Sequence, residues 1–254
     1  MLYREWKVGV PARQKADALA AETGAGRLLC DILGARGMDT PEAAGAILDT
    51  GAPLPSPFLM ADMGPAVERI HRAVADGEPM VVFGDSDVDG ITSTALLYTY
   101  LESLGADVFY QLPSRSDSGY GLTEELVEQV AGHGITLIIT VDNGTSAFEA
   151  AEKAQELGVD IVVTDHHLPQ GRLPKVAALV NPCREDDESG YSRLSGVGVA
   201  FMLVAAIEDC TPEELLPVFG YLVAIGTVAD VMKLAWENPL LVRPGLAALR
   251  ERVC

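Results

Sequence analysis

Three apolar, β-branched runs in this chain each end in carboxylate or imidazole groups, and that repeated ending constrains the fold more than any other feature. Val81-Val82-Phe83 runs into Gly84-Asp85-Ser86-Asp87-Val88-Asp89-Gly90; Ile138-Ile139-Thr140-Val141 runs into Asp142-Asn143-Gly144; Ile161-Val162-Val163-Thr164 runs into Asp165-His166-His167. Short apolar runs bounded by turn residues read as buried strands, and buried strands of this kind belong to parallel sheets.

Helix-period segments separate these runs. Strands are predicted over 80–84, 107–112, 136–141, 160–164 and 176–180. Helices are predicted over 64–76, 92–104, 123–132, 146–157, 195–208, 212–229 and 243–252. Such alternation implies right-handed βαβ units, an α/β fold whose parallel sheet is flanked by helices on both faces. Ligands in these folds sit beyond the carboxyl ends of the strands, where all three polar endings fall. Ahead of the sheet, Ala16, Leu19 and Ala20 stand at helical spacing and predict one helix over 12–33. A second follows from Pro41 to Leu48 with Thr40 as its N-cap. Three prolines in 51–57 mark an irregular connection.

Hydrophobic residues make up 48% of the 254 residues, enough for a real core. No apolar run approaches the ~20 residues that cross a bilayer, so no membrane partner is expected. The four cysteines, Cys30, Cys183, Cys210 and Cys254, show no paired metal-ligand spacing and suit a reducing, cytoplasmic setting. With 37 acidic and 18 basic residues the net charge is −19, which argues against tight, nonspecific duplex binding by this chain alone. It does not exclude a phosphoester substrate, because bound divalent cations reverse the field locally.

The endings themselves suggest one shared metal site. In an extended segment Asp85, Asp87 and Asp89 would face one point, and like charges so close repel unless a cation holds them. A calcium loop is the rival reading of D-x-D-x-D-G, but its twelfth position, here Leu96, lacks the required glutamate, and a strand precedes it. Asp142 alone could be turn material; its position one strand over gives it weight. Two of the four histidines stand together at 166 and 167, and Asp165 is placed to orient one of them. Ser195-Gly196-Val197-Gly198 could aim backbone N–H groups at a phosphate from a helix start, or be a plain helix-entry turn. It is not a dinucleotide fingerprint, since Phe201 holds the third glycine position.

These residues carry a resemblance to the DHH phosphoesterase family, named for the triplet found here at 165–167. Within it the chain most resembles the bacterial exonucleases that degrade single-stranded DNA from the 5′ end. The resemblance covers nearly the whole chain: Pro57-Phe58-Leu59, Asp62-Met63, Gly84–Gly90, Arg115, Gly119-Tyr120-Gly121-Leu122, Asp142, the triplet, Asn181-Pro182, Leu194–Phe201 and Gly226–Val231. It departs from the pattern at Ser86, Ser118, Met232-Lys233 and Pro239, none of them a predicted ligand.

The resemblance implies a helical N-terminal region over 1–56 and a DHH phosphoesterase domain over 57–254. It implies two ions, Mn2+ or Mg2+, with Asp87 and Asp89 each binding a metal, Asp85 as an additional ligand and Asp142 bridging. His166 and Asp230 would complete the second ion's ligands. His167 would contact the scissile phosphate, with Asp165 beside it in the catalytic set, and Arg115 would bind a substrate phosphate. The implied partners are single-stranded DNA and single-strand-binding protein, in recombination and repair. Relatives continue into a second lobe and an OB-fold, so the chain is expected to be a first lobe that assembles the metal site but binds and degrades DNA poorly. Two alternatives stay open: a DHH phosphodiesterase acting on oligoribonucleotides, cyclic dinucleotides or pyrophosphate, and a non-catalytic scaffold.

Overall fold

β1 (Met80–Phe83), β2 (Val108–Gln111), β3 (Leu137–Val141), β4 (Asp160–Thr164) and β5 (Ala178–Val180) form one all-parallel sheet of order β2-β1-β3-β4-β5. The protein is seen in a computed structural model, which describes residues 13–48, 53–113 and 121–253. The chain divides into two compact units, Met1–Ala52 with Leu234–Pro239, and Pro53–Lys233 with Leu240–Cys254.

In the first unit the predicted helix over 12–33 is two: α1 (Arg13–Thr23) and α2 (Arg27–Ala35). Gly24, at φ +68, ends the first in the left-handed conformation that glycine adopts without a Cβ clash. α3 (Pro41–Leu48) follows with Thr40 Oγ1 accepting from Ala43 N, as its capping role requires. Ala16, Leu19, Cys30, Leu33 and Ala44 form this unit's small core.

The second unit holds the sheet and its helices. α4 (Met63–Asp76), α5 (Val88–Ser103), α8 (Gly196–Ile207) and α9 (Pro212–Ala229) pack on one face; α6 (Glu124–Gly132) and α7 (Phe148–Leu157) pack on the other. The strand period of two sorts the side chains between these layers. Met80, Val82, Leu137, Ile139, Val162, Ala178 and Val180 point into the first layer, and Val81, Phe83, Ile138, Ile161, Val163 and Leu179 into the second. Burying each such side chain stabilises by ~1.5–3 kcal/mol before chain entropy is charged against it. β2 is the exposed edge, with Phe109 and Tyr110 more than half exposed.

α8 is buried along its whole length, which explains its unbroken apolar sequence. α9 is long and apolar enough to cross a membrane by those measures, contrary to the sequence expectation. Yet Leu216, Phe219, Val223 and Ala224 lie in the sheet unit's core, and a Thr211–Glu214 capping box starts it. The last helix, α10 (Asn238–Val253), begins five residues earlier than predicted.

Candidate metal centre and DHH loop

The chain reverses direction across the sheet between β1, which is followed outward to β2, and β3, which begins the walk to β5. Loops at such a switch point diverge and leave a crevice. Asp85 leaves β1 on one side of it and Asp142 leaves β3 on the other; the Asp165 loop leaves β4 next to them.

The first acidic segment is not extended. Asp87 is the N-cap of α5, its carboxylate accepting from Gly90 N at 2.9 Å, so the helix starts at Val88 rather than 92 and Asp89 sits in its first turn. The alternation argument for three convergent carboxylates therefore fails locally. A turn and a helix start instead place Asp85 and Asp87 in one group and Asp89 in another.

Ligand-capable atoms lie within 4.8 Å of one another in three overlapping groups: Asp85, Asp87 and Asp142; Asp89, His166 and Asp230; Asp142, His166 and His167. The structure thus brings together every residue named from the sequence as a metal ligand. Asp142 is 2% exposed and holds a left-handed backbone, φ 61, which Asp tolerates better than most residues. His166 Nε2 stands 3.0 Å from Asp142 Oδ1, yet no donor is aligned on that buried oxygen. Burial pushes the Asp142 carboxyl up to about 7 and also raises Asp89. Burial disfavours the His166 cation, but Asp142 and Asp89 outweigh it and raise the imidazole above its usual value. Two buried carboxyls raised in this way, one with an oxygen that lacks an aligned donor, fit a cation that would take the place of the proton.

Asp89 is also held elsewhere. Its Oδ2 accepts from Gly196 N at 2.7 Å and its Oδ1 from Val197 N at 2.9 Å. Gly198 N is taken by Ser195 Oγ, and Ser195 through Gly198 are buried. This corrects the expectation that Ser195, Gly196 and Gly198 present amides to a substrate phosphate: the anion at the α8 start is the protein's own Asp89. Glycine is required at 196 because a Cβ there would fall 2.5 Å from Asp142 Oδ1.

Asp165 stands outside the three groups. Its Oδ1 accepts from His167 Nδ1 at 2.8 Å and from the amides of His166 and His167; Oδ2 accepts from Thr145 N. Burial alone would raise its carboxyl, but the bonds from His167 and Thr145 hold it below the ordinary range. The same His167–Asp165 bond raises the half-exposed His167 ring to about 9 in the metal-free chain. A cavity of about 600 Å³ opens beside His167, walled by Thr123, Ser146, Gln170 and the carboxylates of Glu124, Glu125 and Glu149. Arg115 lies outside the described residues.

Residues 79–227 match the DHH family, N-terminal domain. The chain belongs to the DHH family. Among curated DHH relatives it is 39% identical over 247 residues to the single-stranded-DNA-specific exonuclease RecJ of Bacillus subtilis (strain 168), covering 97% of this chain and 31% of that protein. It is 40% identical over 201 residues to RecJ of Escherichia coli (strain K12), covering 74% and 35%. The chain thus spans about a third of the length of these relatives. Among solved structures, an exonuclease RecJ bound to manganese matches with TM-score 0.68 and 35% identity, over 74% of this chain and 48% of that one. RecJ from Thermus thermophilus in complex with Mn2+ matches with TM-score 0.75 and 30% identity, over 94% and 34%.

Asn181 enters the sequence reading only as part of a motif. It is fully buried behind the DHH loop and bonded to it. The rule that flags the other strand ends, a polar residue straight after an apolar run, applies equally to Val180-Asn181 and would have singled it out.

Proposed function

We propose that this chain is the DHH lobe of a metal-dependent phosphodiesterase that hydrolyses single-stranded DNA from the 5′ end, in cytoplasmic recombination and repair. The observation that supports this best is the gathering of Asp85, Asp87, Asp89, Asp142, His166 and Asp230 at the sheet's switch point. Oxygen and imidazole donors without thiolate suit Mn2+, and the carboxylate-rich portion suits Mg2+. Asp85, Asp87, Asp89, Asp142, His166 and Asp230 would hold the two ions, Asp142 being common to two of the ligand groups. When bound, such a pair supplies Lewis-acid charge for in-line attack of water on phosphorus.

The protein's own groups do the rest. His167, oriented by Asp165, would meet a non-bridging phosphate oxygen and offset charge that grows as the bond breaks. Arg115 is the expected second phosphate contact. Strand binding by this chain is weak in this reading, because a net charge of −19 opposes a polyanion. Single-strand-binding protein is the proposed protein partner.

The test is hydrolysis of a 5′-phosphorylated single strand in Mn2+. Slow release of mononucleotides from the 5′ end, absent for duplex and absent in Asp142→Ala, is the expected result. Equal turnover of dinucleotides or cyclic dinucleotides would overturn the substrate assignment.

A further inference from the structure

We propose that Asn181 is a positioning residue for that reaction, setting where His167 stands; the inference rests on the phosphodiesterase reading. Asn181 is the first residue after β5 and is 0% exposed. Its Nδ2 donates to His167 O at 2.9 Å and to Thr145 Oγ1 at 2.8 Å, and its Oδ1 accepts from Cys183 N at 2.8 Å. The orientation of the amide is fixed, because a carbonyl can only accept and a backbone N–H can only donate. One side chain therefore ties together the loops that follow β3, β4 and β5.

Thr145 closes the circuit. Its amide donates to Asp165 Oδ2 at 2.9 Å, and Asp165 Oδ1 receives His167 Nδ1. His167 is thus held at its ring and its amide by Asp165 and at its carbonyl by Asn181. Asn181, Thr145 and Asp165 are each at most 2% exposed, so no water replaces a lost bond without rearrangement. Removing the Asn181 amide leaves His167 O without its donor and frees the loop to shift the ring. Small displacements of a group that meets the reacting atoms cost rate while binding survives.

The test compares wild type, Asn181→Ala, Asn181→Asp, Thr145→Val, His167→Ala and the double variant Asn181→Ala/His167→Ala. Asn181→Ala should lower kcat about 10- to 100-fold with KM within about threefold. Asn181→Asp keeps the shape and the Cys183 bond but loses both donors, and should match the alanine variant; it is read in its place should that one fail to fold. Thr145→Val, which removes the second acceptor of the Asn181 amide but spares its His167 bond, should lower kcat by less than Asn181→Ala does. The double variant should be no slower than His167→Ala, since Asn181 acts through the ring that variant lacks. Additive losses in the double variant, or an Asn181→Ala kcat near wild type, overturn the proposal. The metal-free chain gives an independent readout: His167 ring resonances should move in Asn181→Ala. Should wild type hydrolyse nothing, the reaction reading falls, and unmoved resonances in Asn181→Ala overturn the positioning claim by themselves.

Discussion

Asp142 shows how much local structure one carboxylate requires. Its strained φ of 61, its burial and its unpartnered Oδ1 are each unfavourable alone. Together they suit the metal-ligand role proposed for Asp142, and Gly196 leaves room for its carboxylate. Gly196→Ala should push the Asp142 carboxylate aside and weaken Mn2+ binding by on the order of tenfold or more, measured by calorimetry. Asp165→Asn should act differently. Its carboxylate lies outside the ligand groups and orients His167, so kcat should fall about 10- to 100-fold while Mn2+ affinity changes little. At this scale the sequence is informative wherever an unusual polar residue closes an apolar run, as at Asp85, Asp142 and Asp165. Asp230 has no such setting and is reached only through resemblance. The occupancy of the α8 amides is illegible, because nothing near Ser195 announces that a carboxylate 107 positions away will reach them.

Helices and strands read well where side-chain period decides them and poorly where a single cap does. All five strands fall within the predicted runs, and β1, β3, β4 and β5 do so because side chains on both of their faces are buried. The α5 start falls four residues from its expected place because Asp87 reads as a ligand and not as a cap, and it serves the helix as well. Far from the site, elements are joined by a different device. Arg69 on α4, 6% exposed, bonds Glu78 ahead of β1 and Asp160 at the start of β4, each at 2.6 Å. The bond from Arg69 holds Glu78 below its ordinary carboxylate value. A carboxylate depressed in the folded state adds stability above its unfolded pKa, about 4.3, and loses it as pH falls through the folded value. Glu78→Gln should therefore cost about 1–3 kcal/mol in urea unfolding at pH 7. The difference from wild type should shrink below about pH 4. A gap that persists unchanged in acid would mean the pair is not what joins these elements.

For the whole molecule, the strand order matters more than any single residue. Placing β1 and β3 side by side, with their connections leaving in opposite directions, opens the crevice into which aspartates from separate stretches of chain converge. That order could not be read from the strands' sequences, which fix period and burial but not neighbours. The polar endings hinted at it, since residues serving one cation must meet. The acidic balance belongs to the same scale: a net charge of −19 opposes an approaching phosphate, and cations at the crevice would reverse that field locally. The most direct test is the stoichiometry and coupling of Mn2+ by calorimetry and electron paramagnetic resonance, in wild type and Asp142→Ala. Two ions per chain with a spin-coupled signal, lost in the variant, is the predicted result. A single uncoupled ion, or a signal indifferent to Asp142, would contradict the two-ion centre.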